Sequence, residues 1–266
     1  MKKKIFICGN SFSQGMFVDR SKMKDSLDYD NVKICYNRPY AKFIEDAIDV
    51  ETVMLARPVA GNYMTCKQVE YAIEQKADLV IMNFSTVRHF DFTMEGKRLQ
   101  TVPKLENFIY AEKTFAPNFV NPTGSTDEEQ VINCLRFPNI HVYALSSNKE
   151  YLPILRYIHR CTDYYLRIDQ ERLMVLGLFK RLRETNTKFI VVDLIGAESD
   201  LSKIKTPGAI SDTNVMNVIK VEPYITIPPG FSKKYPNPTD DFHFNEEGQR
   251  VVAEMLLPTI KTLLKI

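Results

Sequence analysis

The chain has 266 residues, of which 44% are hydrophobic and 26% charged, with a formal net charge of +2. That is enough chain to bury the core of one large α/β domain, in a composition ordinary for a globular protein. The near-neutral balance gives no electrostatic pointer to nucleic acid or to a membrane surface, and no apolar run approaches the length of a transmembrane helix.

Lys2 to Lys4 have the look of a signal-peptide n-region, but the apolar run behind them spans residues 5–8 alone. That is too short for an h-region, so the expectation is a cytoplasmic protein or one packaged in a larger particle. Residues 5–8 are β-favouring and stop at Gly9, which predicts a buried strand leading into a loop. Ligands of open α/β sheets bind beyond the carboxyl ends of the strands, so Asn10, Ser11 and Ser13 stand where chemistry usually happens. Gly9 and Gly15 permit tight turns on either side. A Gly-x-Ser after a strand also describes a serine that caps a helix. The spacing from Gly9 to Gly15 matches neither GxGxxG nor GxxxxGK[ST], the two common phosphate loops.

Residues 19–31 are charged and irregular, and 32–36 read as a short strand. A helix is predicted over 39–48, with Phe43, Ile44, Ala47 and Ile48 at helical spacing and Pro39 near its first turn. A second core strand follows at 50–56, then a loop ending in the small turn Ala60-Gly61-Asn62. The next helix, 65–76, has Val69, Ala72 and Ile73 on its inner face, and a strand at 78–82 runs into Asn83-Phe84-Ser85-Thr86. Residues of about 90–150 carry Pro103, Pro117, Pro122 and Pro138 and read as an insertion of loops and a short helix, with room for a lid, a protein partner or a second copy of the chain. Beyond it, 149–185 is strongly helical, 188–193 is a fourth core strand, a fifth lies near 218–227, and a last helix runs from beyond Phe244 to Leu264. Strands alternating with helices of these lengths predict a parallel sheet covered by helices. The five cysteines, Cys8, Cys35, Cys66, Cys134 and Cys161, form no CxxC pair, which suggests reduced thiols rather than a disulfide frame or a zinc site. His89, His141 and His159 have no paired spacing and read as surface or packing residues, so no metal site is expected.

The last helix is preceded by Asn237-Pro-Thr-Asp240-Asp241-Phe242-His243-Phe244-Asn245-Glu-Glu-Gly248. A loop carboxylate three residues before a histidine can hold the imidazole by its Nδ1–H, which leaves Nε2 to take a proton from a serine hydroxyl. Asp240 has that spacing. Asp241 beside it reads equally as a solvated or turn-capping residue, and Asn245 stands where a helix N-cap belongs.

These two ends together resemble the SGNH (GDSL-type) hydrolases. Gly9-Asn10-Ser11-Phe12-Ser13 resembles the family's first block, Gly-Asp-Ser-x-Ser, with Asn in place of Asp. Asp240-Asp-Phe-His243-Phe-Asn245-x-x-Gly248 resembles its last block, and Ala60-Gly61-Asn62 its second. The resemblance implies a flavodoxin-like three-layer α/β/α sandwich with a central parallel sheet of about five strands. It implies Ser11 as nucleophile, His243 as general base and Asp240 as its orienter, with the backbone N–H groups of Ser11 and Gly61 holding the oxyanion. The third block, usually Gly-x-Asn-Asp, departs here to Met82-Asn83-Phe84-Ser85-Thr86-Val87-Arg88, so the third oxyanion donor is Asn83 or Ser85. Asn10, Asn62 and Arg88 are candidate substrate contacts. The activity implied is that of a serine esterase or deacetylase without cofactor or metal, acting on a small acyl ester such as an acetylated carbohydrate. An SGNH-fold binding module is the alternative.

Overall fold

Side chains of the first strand already divide the core in two. In β1 (Lys3–Cys8), Ile5 and Ile7 join one buried cluster while Phe6 and Cys8 join another, as the two-residue period of a strand requires. The computed structural model describes residues 2–19, 21, 33–57, 60–84, 89–93, 108–112, 164–194, 223–238 and 240–266. Within them β1 is the second strand of a five-stranded sheet with β4 (Val50–Met54), β5 (Leu79–Met82), β8 (Phe189–Asp193) and β9 (Tyr224–Thr226), in the order β4-β1-β5-β8-β9. Every pairing is parallel, with Ile5 opposite Thr52 on one side and opposite Leu79 on the other. Taken in chain order, the strands are arranged second, first, third, fourth, fifth, which is the flavodoxin-like order expected. Asp78 fixes the start of β5 against β1, accepting from the Lys4 N–H at 2.9 Å and from Lys3 Nζ at 3.0 Å.

Helices cover both faces. Tyr40, Ala41 and Ile44 of α2 (Tyr40–Ala47) and Val252, Leu256 and Ile260 of the C-terminal α6 (Glu246–Leu264) pack on the Ile5–Ile7 side. Val69 and Ala72 of α3 (Asn62–Glu74) and Val175, Phe179 and Leu182 of α4 (Tyr164–Glu184) pack on the Phe6–Cys8 side. The strands β5 and β8 are near-continuous apolar runs because both of their faces are buried. Among the described residues no helix is long and apolar enough to cross a membrane.

Three ribbons depart from the sequence expectation. The expected strand near 32–36 is β3 (Lys33–Tyr36), and its antiparallel partner is an unforeseen β2 (Met16–Asp19), with Met16 opposite Tyr36. In the insertion, the described part is an antiparallel pair, β6 (His89–Thr93) with β7 (Phe108–Glu112), rather than loops and a short helix. The rest of 90–150 lies outside the described residues. The stretch holding His243, expected as a loop, is β11 (Asp240–Phe244), paired with the short β10 (Pro236–Asn237) behind the one-turn α5 (Phe231–Lys234). Helix α3 also begins earlier than expected, because the Thr65 N–H and Oγ1 already bond back to the Gly61 carbonyl, at 3.0 and 3.1 Å.

Candidate active site

The chain leaves β1 through a turn that only glycine fits. Gly9 has φ of +139°, and a Cβ there would lie 2.8 Å from the Asn83 carbonyl oxygen, so the position demands a residue without a side chain. Asn10 then caps the single turn α1 (Ser11–Gln14), its side-chain oxygen accepting from the Phe12 N–H at 3.1 Å. Gly15, at φ of 74°, closes the turn. Ser11 is thus the first residue of α1, at the carboxyl end of β1. There β4 and β5 lie on opposite sides of β1, the switch point at which such sheets bind ligands.

His243 comes to the same place from the far end of the chain. The buried Asn237 side chain donates to the carbonyls of His243 and Phe244, at 3.0 and 2.9 Å, which holds β11 in its ribbon. Asn37 Nδ2 adds a bond to the Phe244 carbonyl at 3.2 Å. On the ring itself, Phe12 lies against the imidazole with centroids 4.5 Å apart and planes at 31°. Asn245 caps α6 through the Gly248 N–H at 3.0 Å. A Cβ on Gly248 would come within 2.9 Å of the Phe244 side chain, so the helix approaches β11 as closely as it does because this residue has none.

The outcome is a contact of 2.8 Å between Ser11 Oγ and His243 Nε2 across 232 positions of sequence. With Nδ1 protonated and Nε2 bare, this geometry lets the imidazole accept the hydroxyl proton as oxygen attacks a carbonyl carbon. Cys8 sits two residues before Asn10 and does not compete as a nucleophile, since burial, with Cys66 nearby, pushes its thiol pKa far up.

No family model and no curated protein matches the chain. Solved structures do. A carbohydrate esterase family 2 enzyme with a carbohydrate binding domain, from Corynascus thermopiles (Myceliophthora fergusii), is 11% identical with a TM-score of 0.49, over 100% of this chain and 68% of that one. A psychrotrophic esterase from a Pseudoalteromonas species is 9% identical with a TM-score of 0.45, over 100% of both chains. A GDSL-like lipase from Bacteroides thetaiotaomicron is 11% identical with a TM-score of 0.43, over 98% of this chain and 88% of that one. The chain resembles an SGNH hydrolase in strand order and in the meeting of its two end blocks.

Gly61, of the second block, is the N-cap of α3 with an extended backbone, φ of −80° and ψ of −176°. Asn62 beside it is buried, and its Nδ2 donates to Glu171 Oε2 of α4 at 2.6 Å. Asn83, of the third block, follows β5 and is fully buried at 0% exposure. Its amide oxygen accepts from the Leu194 N–H at 3.1 Å and its nitrogen donates to the Phe84 carbonyl at 2.9 Å, the assignment of oxygen and nitrogen that pairs the buried groups around it. Asp240 opens β11, and its side chain lies outside the described set, as do Ser85 and Arg88. Sequence reasoning passed over Asn237, Glu171, Gln68 and Gln249. Asn237 carried a signal, since it opens the block that holds His243.

Proposed function

We propose that the chain is a serine ester hydrolase of the SGNH type. Ser11 attacks the acyl carbonyl while His243 takes its proton, the alcohol leaves with that proton, and water then releases the acyl group from Ser11 by the same relay in reverse. Asp240 orients His243. The N–H groups of Ser11 and Gly61 hold the oxyanion, with Asn83 or Ser85 as a third donor; losing one such donor typically costs about 10²–10³ in rate. The substrate class is a small acyl ester, with an acetylated carbohydrate as the leading case, and Arg88, Asn10 and Asn62 are its candidate contacts. What carries the reading is the 2.8 Å contact of Ser11 Oγ with His243 Nε2 at the switch point of the sheet.

A second reading, a binding module on the same scaffold, draws on Asn83. Its amide is fully buried and engaged with Leu194 and Phe84, and the third block around it lacks the usual Gly and Asp. Intact-mass spectrometry after treatment with a small fluorophosphonate separates the two. The esterase reading expects one adduct on wild type and none on Ser11→Ala or His243→Ala. A folded wild type that takes no adduct favours the binding module.

A further inference from the structure

Two buried glutamines hold the nucleophile turn, and neither has a part in the acyl chemistry above. Gln68 lies in the second turn of α3 at 0% exposure. Its Oε1 accepts from the Gly9 N–H at 2.5 Å and its Nε2 donates to the Gly9 carbonyl at 3.3 Å. A side-chain amide thus meets both polar groups of Gly9 just past the end of β1. The same carbonyl also takes the Arg57 N–H at 3.0 Å. Gln249 lies in the first turn of α6 at 2% exposure. Its Nε2 donates to the Phe12 carbonyl at 3.1 Å, and its Oε1 accepts from the Tyr40 N–H at 3.0 Å. Gly9 and Phe12 flank Asn10 and Ser11. The turn is therefore tied at one end to a helix on one face of the sheet, and at the other to a helix on the opposite face.

Burying an amide is unfavourable unless its partners are met; here they are, and each amide in turn meets a buried N–H, of Gly9 or of Tyr40, that an apolar residue of the same length would leave unpaired. What the amides add is direction. They fix the rotation of the turn about the end of β1, on which the Ser11–His243 distance depends, and a misplacement of about 1 Å at such a site can cost about 10² in rate. We infer that Gln68 and Gln249 are positioning residues for the Ser11 nucleophile, a role that rests on the esterase reading.

The test is the rate of fluorophosphonate labelling across pH for wild type, Gln68→Met, Gln249→Met and Gln68→Glu, with thermal unfolding followed on the same samples. Methionine keeps the length and removes both bonds. Each methionine variant is expected to label about 10–10²-fold more slowly at temperatures where it is fully folded. The pH midpoint should stay in place, because the base is untouched. Gln68→Glu separates direction from space-filling. As a neutral acid it retains one acceptor and one donor; ionised, it sets a second acceptor against the Gly9 carbonyl. Its rate relative to wild type is expected to approach one at low pH and to fall as pH rises. Should the methionine variants fail to fold, that comparison decides the matter alone. Folded methionine variants that label at the wild-type rate, or a Gln68→Glu profile parallel to wild type, overturn the inference and leave the esterase reading standing. A wild type that does not label overturns the esterase reading and this inference with it.

Discussion

The Asn237 side chain shows how one polar residue can decide the placement of another. Its Nδ2 bonds the carbonyls of His243 and Phe244, and its Oδ1 faces Asn37 Nδ2 at 3.3 Å. Asn237→Ala takes a donor from the His243 and Phe244 carbonyls, of which Phe244 keeps Asn37 Nδ2, so it is expected to lower stability by about 1 kcal/mol in a denaturant melt. Under the esterase reading it also slows labelling of Ser11 by freeing the ribbon that carries His243. The meeting of Ser11 with His243 was legible in the sequence because each stands in a short and recognisable setting at its own end of the chain. Gln68, Gln249 and Glu171 were not. A glutamine or glutamate inside a helical pattern has the hydropathy of a solvent-facing residue, and only the tertiary contact with Gly9, Phe12 or Asn62 reveals otherwise.

At the scale of elements, the spacing Asp-x-x-His-x-Asn-x-x-Gly separates into chemistry and architecture. Asn245 ends the ribbon and starts the helix, so Asn245→Ala should cost about 1 kcal/mol. Gly248 lets the helix lie against Phe244. Gly248→Ala is expected to cost more, about 1–3 kcal/mol, because two close contacts must yield at once. Thermal or urea unfolding of the two variants side by side checks that order. The core strands were readable as apolar runs, and the final helix as a periodic one that begins at a capping residue. The β2 ribbon was missed because its stability comes from pairing with β3 and from the bond of the Asn37 N–H to the Gly15 carbonyl at 2.8 Å, neither of which a local pattern records. The expected loop around His243 proved to be a strand for a similar reason: its backbone pairs with β10, and the Asn237 side chain reinforces that pairing.

For the whole molecule, the alternation of strands and helices predicted a parallel sheet with two covered faces, and β1 lies inside that sheet with a core on each side. One surface contact gives this architecture a measurable pH dependence. Burial by itself raises the Asp78 carboxyl, but the Lys4 N–H and the Lys3 ammonium outweigh it and hold the group below the usual carboxylate range. A carboxyl lowered in the folded state contributes fully above its unfolded pKa, and the contribution is lost as pH falls through the folded value. Asp78→Asn is therefore expected to melt below wild type at neutral pH, by an amount corresponding to about 1 kcal/mol. The gap should close at acid pH, and a gap that widens there would reverse the sign assigned to this group. The meeting of the chain's two ends also sets a timetable. During synthesis Ser11 emerges first, and His243 follows 232 residues later, roughly 10–50 s at ordinary elongation rates of about 5–20 residues per second. For that whole interval the nascent chain holds Ser11 without His243 beside it, and the pair comes together only once the last ribbon has been made.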